Sequence, residues 1–168
     1  EQLVRDARIA QLYEGTNGIQ ALDLVGRKLG QNVGRLLRRF FHPVLAFIEE
    51  TQAQPEMAEF TLPLAKAFAR LQQVTASVAQ QGLRGPNEAG AAASDYLRLF
   101  ALVALAFMWA RMAKVVLAKP EGDRTPFHKA KLATARFYMT RILPQTSGLV
   151  AAIGAGAAPI MAPEEAWF

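Results

Sequence analysis

The chain contains no cysteine, so disulfide frameworks, thiolate zinc sites and cysteine nucleophiles are excluded. Its two histidines, His42 and His128, have no partner at ligand-like spacing, so no metal site can be read from the sequence. Strand signals are nearly missing. Alternation of apolar and polar residues never persists beyond a few positions, whereas apolar residues recur at spacings of three and four almost throughout. The longest apolar run, Leu99 to Ala110, falls short of the roughly 20 residues that cross a bilayer and is bracketed by Arg98 and Arg111. It predicts a buried helix and no membrane span. Residues 1–12 alternate charge with Leu3, Val4, Ile9 and Leu12 where a signal peptide would carry an apolar block, which predicts a cytoplasmic protein. The sequence opens at Glu1, not at a methionine, as expected of a piece processed or cut from something longer.

What is present is 168 residues, 52% hydrophobic and 20% charged, the composition of one globular domain. A chain of this size buries roughly 70% of its unfolded surface. Nineteen Lys and Arg against fourteen Asp and Glu give a net charge of +5, a balance suited to an acidic ligand, a nucleic acid or a membrane surface. Arg124, Lys129, Lys131, Arg136 and Arg141 form a basic stretch without an acid. With no interleaved aromatic platform, it reads as a solvated helix face and not as a nucleic-acid surface.

The periodicity predicts an all-α fold, an antiparallel up-down four-helix bundle preceded by a short helical pair. Residues 1–13 read as the last turns of one helix, broken by Glu14-Gly15-Thr16-Asn17-Gly18, and a second helix over 18–29 ends at Gly30. Residues 32–52 then place Val33, Leu37, Phe40, Val44 and Phe47 on one stripe, with Pro43 predicting a kink. Residues 57–81 repeat the pattern with Leu64, Phe68, Leu71, Val74 and Val78. In residues 87–119, apolar side chains from Tyr96 to Leu117 go nearly all round, which predicts the most enclosed helix. Thr125 followed by Pro126 is the strongest helix start in the chain. From there Leu132, Ala135, Met139, Ile142, Thr146, Leu149 and Ile153 form a packing seam, followed by an irregular tail from Gly154. Short loops at 53–56, 82–86 and 119–124 favour antiparallel neighbours.

Glu14 is the one acid placed at a helix break, between Tyr13 and Gly15. A carboxylate there can project into a cleft while free N–H groups at the start of the next helix meet a phosphate or a carbonyl oxygen. A solvated interhelical turn is the plainer reading of the same spacing. The neighbouring residues say more. Arg5-Asp6-Ala7-Arg8-Ile9-Ala10-Gln11-Leu12-Tyr13-Glu14-Gly15-Thr16-Asn17-Gly18-Ile19-Gln20 closely resembles a signature of flavin-dependent acyl-CoA dehydrogenases. Ala21-Leu22-Asp23-Leu24-Val25-Gly26-Arg27-Lys28 extends the likeness toward a longer subgroup with an added C-terminal helical region.

The resemblance implies that Glu14 is the base that removes the α-proton of an acyl thioester while FAD takes a hydride from the β-carbon. It implies further that Tyr13 and Gly15 lie at the substrate and that Thr16, Asn17 and Gly18 touch the flavin dinucleotide. A carboxylate in a dry cleft loses solvation, which raises its pKa and strengthens it as a base. On this reading residues 1–30 end the family's C-terminal helical domain and residues 31–168 form the helical extension. The chain would then be the C-terminal part of an enzyme with an acyl-CoA substrate, an electron acceptor that the motif does not specify, and a homo-oligomeric state. The apolar stripes of residues 1–29 favour such association, since they would otherwise face water. A second reading is a non-catalytic helical interaction or oligomerisation module whose basic surface docks an acidic partner, and it would tolerate loss of Glu14.

Overall fold

The structure, a computed structural model, describes residues 1–12 and 16–167, and among these every regular element is helical. The architecture grows from its two longest helices, α4 (Ala58–Arg84) and α5 (Pro86–Leu117), which are joined through Gly85 alone. Pro86 opens α5 at a first-turn position where its missing N–H costs no hydrogen bond. The helices run antiparallel, because Thr75 meets Tyr96 at one level and Gly82 faces Ala89 nearer the turn. Leu64, Phe68, Leu71 and Val78 of α4 and Tyr96, Leu99, Val103 and Ala106 of α5 are all buried in one core.

Helix α3 (Gln31–Thr51) descends against α4, with the Thr51 and Thr61 hydroxyls 2.9 Å apart and the Phe41 and Phe68 rings 5.1 Å apart. Its Phe40 and Phe47 meet Phe100 and Phe107, so α3 runs parallel to α5. Helices α6 (Pro126–Phe137) and α7 (Thr146–Gly154) return along α5 in the opposite sense. The Tyr138 hydroxyl donates to the Leu102 carbonyl at 2.9 Å, and Arg98 donates to Gln145 at 2.9 Å. Two contacts tie this arm to α4, a two-pronged Arg136–Glu59 ion pair at 2.7 and 2.8 Å and an Arg70–Ser147 hydrogen bond. The chain therefore passes up, down, up and down through its four long arms.

Local structure departs from the sequence-based expectations at four places. The kink in α3 lies at residues 32–34, not at Pro43, through which helical dihedrals continue. Asn32, Val33 and Gly34 take φ of 51°, 56° and 70°. Asparagine and glycine tolerate this left-handed region, whereas a β-branched residue does not. Arg38 donates its guanidinium to the Val33 carbonyl and secures the turn.

The arm expected as one seam over 126–153 is broken between α6 and α7 by a π turn, Tyr138–Ile142, and a 3-10 turn, Leu143–Gln145. Pro144 has no N–H to give, and in an α-helix its ring would press on the carbonyl four residues back, so the chain changes its winding there. The seam survives the change. Leu132, Ala135, Met139, Thr146 and Ile153 are buried, and Ile142 and Leu149 half-buried.

The helical pair also differs. Helix α1 (Gln2–Arg8) buries nothing, but α2 (Asn17–Asp23) and the π turn Leu24–Lys28 lie against α5. Ala21 is buried, and Leu24, Val25 and Leu29 pack on the core. Asp23 accepts from Arg27 at 2.6 Å and Lys28 at 2.9 Å, and these hydrogen bonds hold its carboxyl below the usual range.

Finally, α5 is enclosed on most sides, yet Leu105, Met108 and Val115 remain exposed on its outer face. Its 32 residues include an 18-residue window of mean hydropathy 1.8, so by length and composition the helix could cross a membrane. The uninterrupted run Leu99 to Ala110 had understated that length. The packing of α2, α3, α4, α6 and α7 around α5 accounts for its apolar character as a core helix.

Candidate functional site

Sequence reasoning placed the chemistry on Tyr13, Glu14, Gly15, Thr16, Asn17 and Gly18. The first three lie outside the described residues. The other three form the start of α2. Thr16 occupies the N-cap position, and its carbonyl accepts the Gln20 N–H at 2.9 Å, but its side chain does not cap the helix. Thr16, Asn17 and Gly18 are exposed, and a Cβ built on Gly18 would meet none of the described residues within 4 Å. One turn further along the same helix Ala21 is buried, and Leu22 reaches Gly90 of α5.

The helix thus has an open first turn and a packed second turn. Packing against α5 fixes the helix, while its first turn is exposed and carries no side-chain cap among the described residues. Such an end can receive a phosphate or a carbonyl oxygen from a neighbouring body. Among the described residues no group of His, Asp or Glu side chains is arranged to hold a metal ion.

Residues that the sequence reading did not single out make a second feature. A groove of about 870 Å³ runs along the second half of α5, between the end of α3 and the start of α6. Phe47, Met108, Met112, Val115 and Phe127 supply its apolar lining, and Arg111 and Lys131 its rim. Lys131 lies over the Trp109 and Phe127 rings, with its Nζ 5.5 and 5.2 Å from their centroids. Lys114 pairs with Glu50 at the same rim. The signal was present in the sequence, since Arg98 and Arg111 fall at three- and four-residue spacing on the same face as Leu105, Met108 and Val115 and mark that face as outer. The groove and the motif lie apart, since Leu22 touches α5 at Gly90 and the groove begins at Met108, about 27 Å further along a helix of 1.5 Å rise.

His128, which has no partner at ligand-like spacing, closes a capping box with Thr125, whose N–H it accepts at 3.1 Å. Arg124, read as part of a solvated basic face, caps the end of α5 by donating to the Leu117 and Lys119 carbonyls, each at 3.1 Å. Arg136 is likewise taken up by Glu59.

Comparison with known proteins gives these features a context. The family described as acetyl-CoA dehydrogenase C-terminal like matches residues 40–164. The chain is 35% identical, over 87% of its length, to a 3-methylmercaptopropionyl-CoA dehydrogenase of Ruegeria pomeroyi, and covers 25% of that protein. It is 29% identical over 86% of its length to the broad-specificity linear acyl-CoA dehydrogenase FadE5 of Mycobacterium tuberculosis, again covering 25%. A butyryl-CoA dehydrogenase of Syntrophomonas wolfei is 28% identical over 99% of the chain and 28% of its own length. The chain spans about a quarter of the length of these curated relatives and matches their C-terminal portions. By the family match over residues 40–164 and these relatives, the chain belongs to the acyl-CoA dehydrogenase family, as a C-terminal helical part of it.

Proposed function

We propose that this chain is the C-terminal part of a longer, flavin-dependent acyl-CoA dehydrogenase, which oxidises an acyl-CoA thioester to the 2,3-enoyl-CoA. The observation that carries the reading is the run Tyr13-Glu14-Gly15-Thr16 leading directly into the open N-terminus of α2, in a chain of this family.

Glu14 takes the α-proton of the thioester. Its own backbone N–H meets the thioester carbonyl, where negative charge develops as the proton leaves. Tyr13 and Gly15 line the acyl group beside it. Thr16, Asn17 and Gly18 fit one edge of a dinucleotide: they are exposed, small or polar, and sit at a helix start that, among the described residues, has no side-chain cap and leaves space where a Gly18 side chain would be. FAD bound there supplies a hydride acceptor for the β-carbon. Residues 1–30 belong on this reading to the catalytic helical domain and 31–168 to its extension, and the protein works in the cytoplasm as a homo-oligomer.

Gly18 provides the test of the cofactor edge. Because none of the described residues lies within 4 Å of its Cβ position, Gly18→Val should leave the helical circular dichroism of the 168-residue chain unchanged. In the full-length protein the same change should strip most of the flavin on gel filtration. Full flavin retention in that variant would place the dinucleotide elsewhere.

A further inference from the structure

The groove over the second half of α5 joins an apolar floor to a cationic rim. Phe47 and Val116 line it as buried side chains, 8% and 5% exposed, while Met108 and Val115 open onto it at 41% and 66%. Arg111, Lys114 and Lys131 stand around it with a single carboxylate, Glu50, which Lys114 takes. Arg111 lies 5.5 Å over the Phe107 ring, and Lys131 lies over the Trp109 and Phe127 rings. Each is held by a ring face, and neither has a carboxylate partner among the described residues. Two positive charges are thus left without a counter-charge beside an open apolar surface.

We propose that this groove binds a single long-chain fatty carboxylate, its head at Arg111 and Lys131 and its chain along Phe47, Met108, Met112 and Val115. The apolar floor takes the chain out of water, and the guanidinium and ammonium groups donate charge-assisted hydrogen bonds to the carboxylate. Met108 and Met112 suit a flexible chain, because unbranched thioether side chains adapt to irregular contacts. The floor from Met108 to Ala118 is about 15 Å long on helix rise, which fits an extended chain of medium length such as dodecanoate. A volume of about 870 Å³ falls within the roughly 300–1,000 Å³ of small-molecule sites.

Charge and shape together select this occupant. A neutral chain would draw water away from Arg111 and Lys131 without compensating them, and a cationic head would be repelled. A flat bilayer surface does not reach the buried Phe47 and Val116, whereas a single chain lies down between the end of α3 and the start of α6. The site is also separate from the motif at residues 13–18. Leu22 of α2 stands over Gly90, about 27 Å along α5 from Met108, so a carboxylate in the groove is not the thioester held at that motif. The proposal rests on the groove alone.

Titration calorimetry with dodecanoate, below its micelle-forming range, tests it on the full-length protein and on the 168-residue chain. The groove should take one equivalent with a Kd on the order of 100 μM, as a single acyl chain leaving water does. Dodecyltrimethylammonium has the same tail and the opposite charge, and it should bind at least about tenfold more weakly. Arg111→Glu combined with Lys131→Glu should reverse that preference with unchanged circular dichroism, and Arg111→Gln, which only neutralises, should narrow it. Val115→Asn makes the floor polar and should weaken both amphiphiles by at least about threefold. In the full-length protein the charge-reversed variant should lose one equivalent of dodecanoate. Equal affinity for the two heads, or a preference that neither charge variant moves, would overturn the proposal. So would binding confined to the 168-residue chain, since the rest of the longer polypeptide would then fill the groove. A protein that binds no dodecanoate yet sediments with phosphatidylglycerol vesicles would overturn it in favour of a membrane surface.

Discussion

The hydroxyls of Thr75 and Tyr96 lie 2.7 Å apart between α4 and α5, and both side chains are buried. Thr75 Oγ1 already donates its hydrogen to the Leu71 carbonyl at 2.7 Å, so the phenol of Tyr96 is the donor to Thr75. The order of this relay sets an asymmetry. Thr75→Val keeps the shape but strands a buried phenol, a loss of about 1–3 kcal/mol, whereas Tyr96→Phe removes the orphan with its bond and loses only about 0.5–1.5 kcal/mol. In urea unfolding, Thr75→Val should be the more damaging change, and the double variant should recover part of its loss. The reverse order would mean that the phenol finds another partner.

The same burial predicts an alkaline limit to stability. Desolvation pushes Tyr96 up to about 12, and burial pushes Tyr138 up to about 12. An unfolded tyrosine titrates near about 10, so above that pH the unfolded chain sheds protons that the fold retains, and stability falls. The contribution is complete below about pH 10 and is lost as the pH rises through about 12. Phenolate absorbance should therefore rise together with loss of helical circular dichroism within that window. Titration of both phenols near pH 10 in a still-folded chain would contradict their burial.

Phe107 is 6% exposed and packs its ring against Phe40 and Phe47, with centroids 6.5 and 5.5 Å away. It ties α5 to α3, a junction made largely by aromatic side chains. Phe107→Ala should lower stability by about 3–5 kcal/mol in urea unfolding. A change under about 1 kcal/mol would mean that α3 closes over the gap or is not held there.

What the sequence revealed follows from which signals are local. Thr125-Pro126 marks the start of α6 because capping and a fixed φ act within one turn, and the structure begins the helix there. The core positions of α4 are equally legible, since a period of three and four specifies one buried side. Residues 32–34 were read as ordinary helix because Val33 opposes the left-handed turn, and the Arg38 contact that holds it comes from a turn further on. The exposed stripe of α5 was marked in the sequence only by Arg98 and Arg111 among apolar residues of the same face, and how far it stays open depends on where α3 and α6 stop covering it. Of the candidate site, Thr16, Asn17 and Gly18 occupy the open start of α2, while Tyr13, Glu14 and Gly15 lie outside the described residues.

The central claim is that Glu14 abstracts the α-proton, and flavin reduction in the full-length enzyme tests it most directly. Glu14→Gln keeps the shape and removes the basic oxygen, so flavin and acyl-CoA should remain bound. On mixing with acyl-CoA, flavin bleaching should slow by about 10²–10⁴-fold or more, the contribution typical of a general base. Bleaching at the wild-type rate in that variant would contradict the account and put the base on another residue.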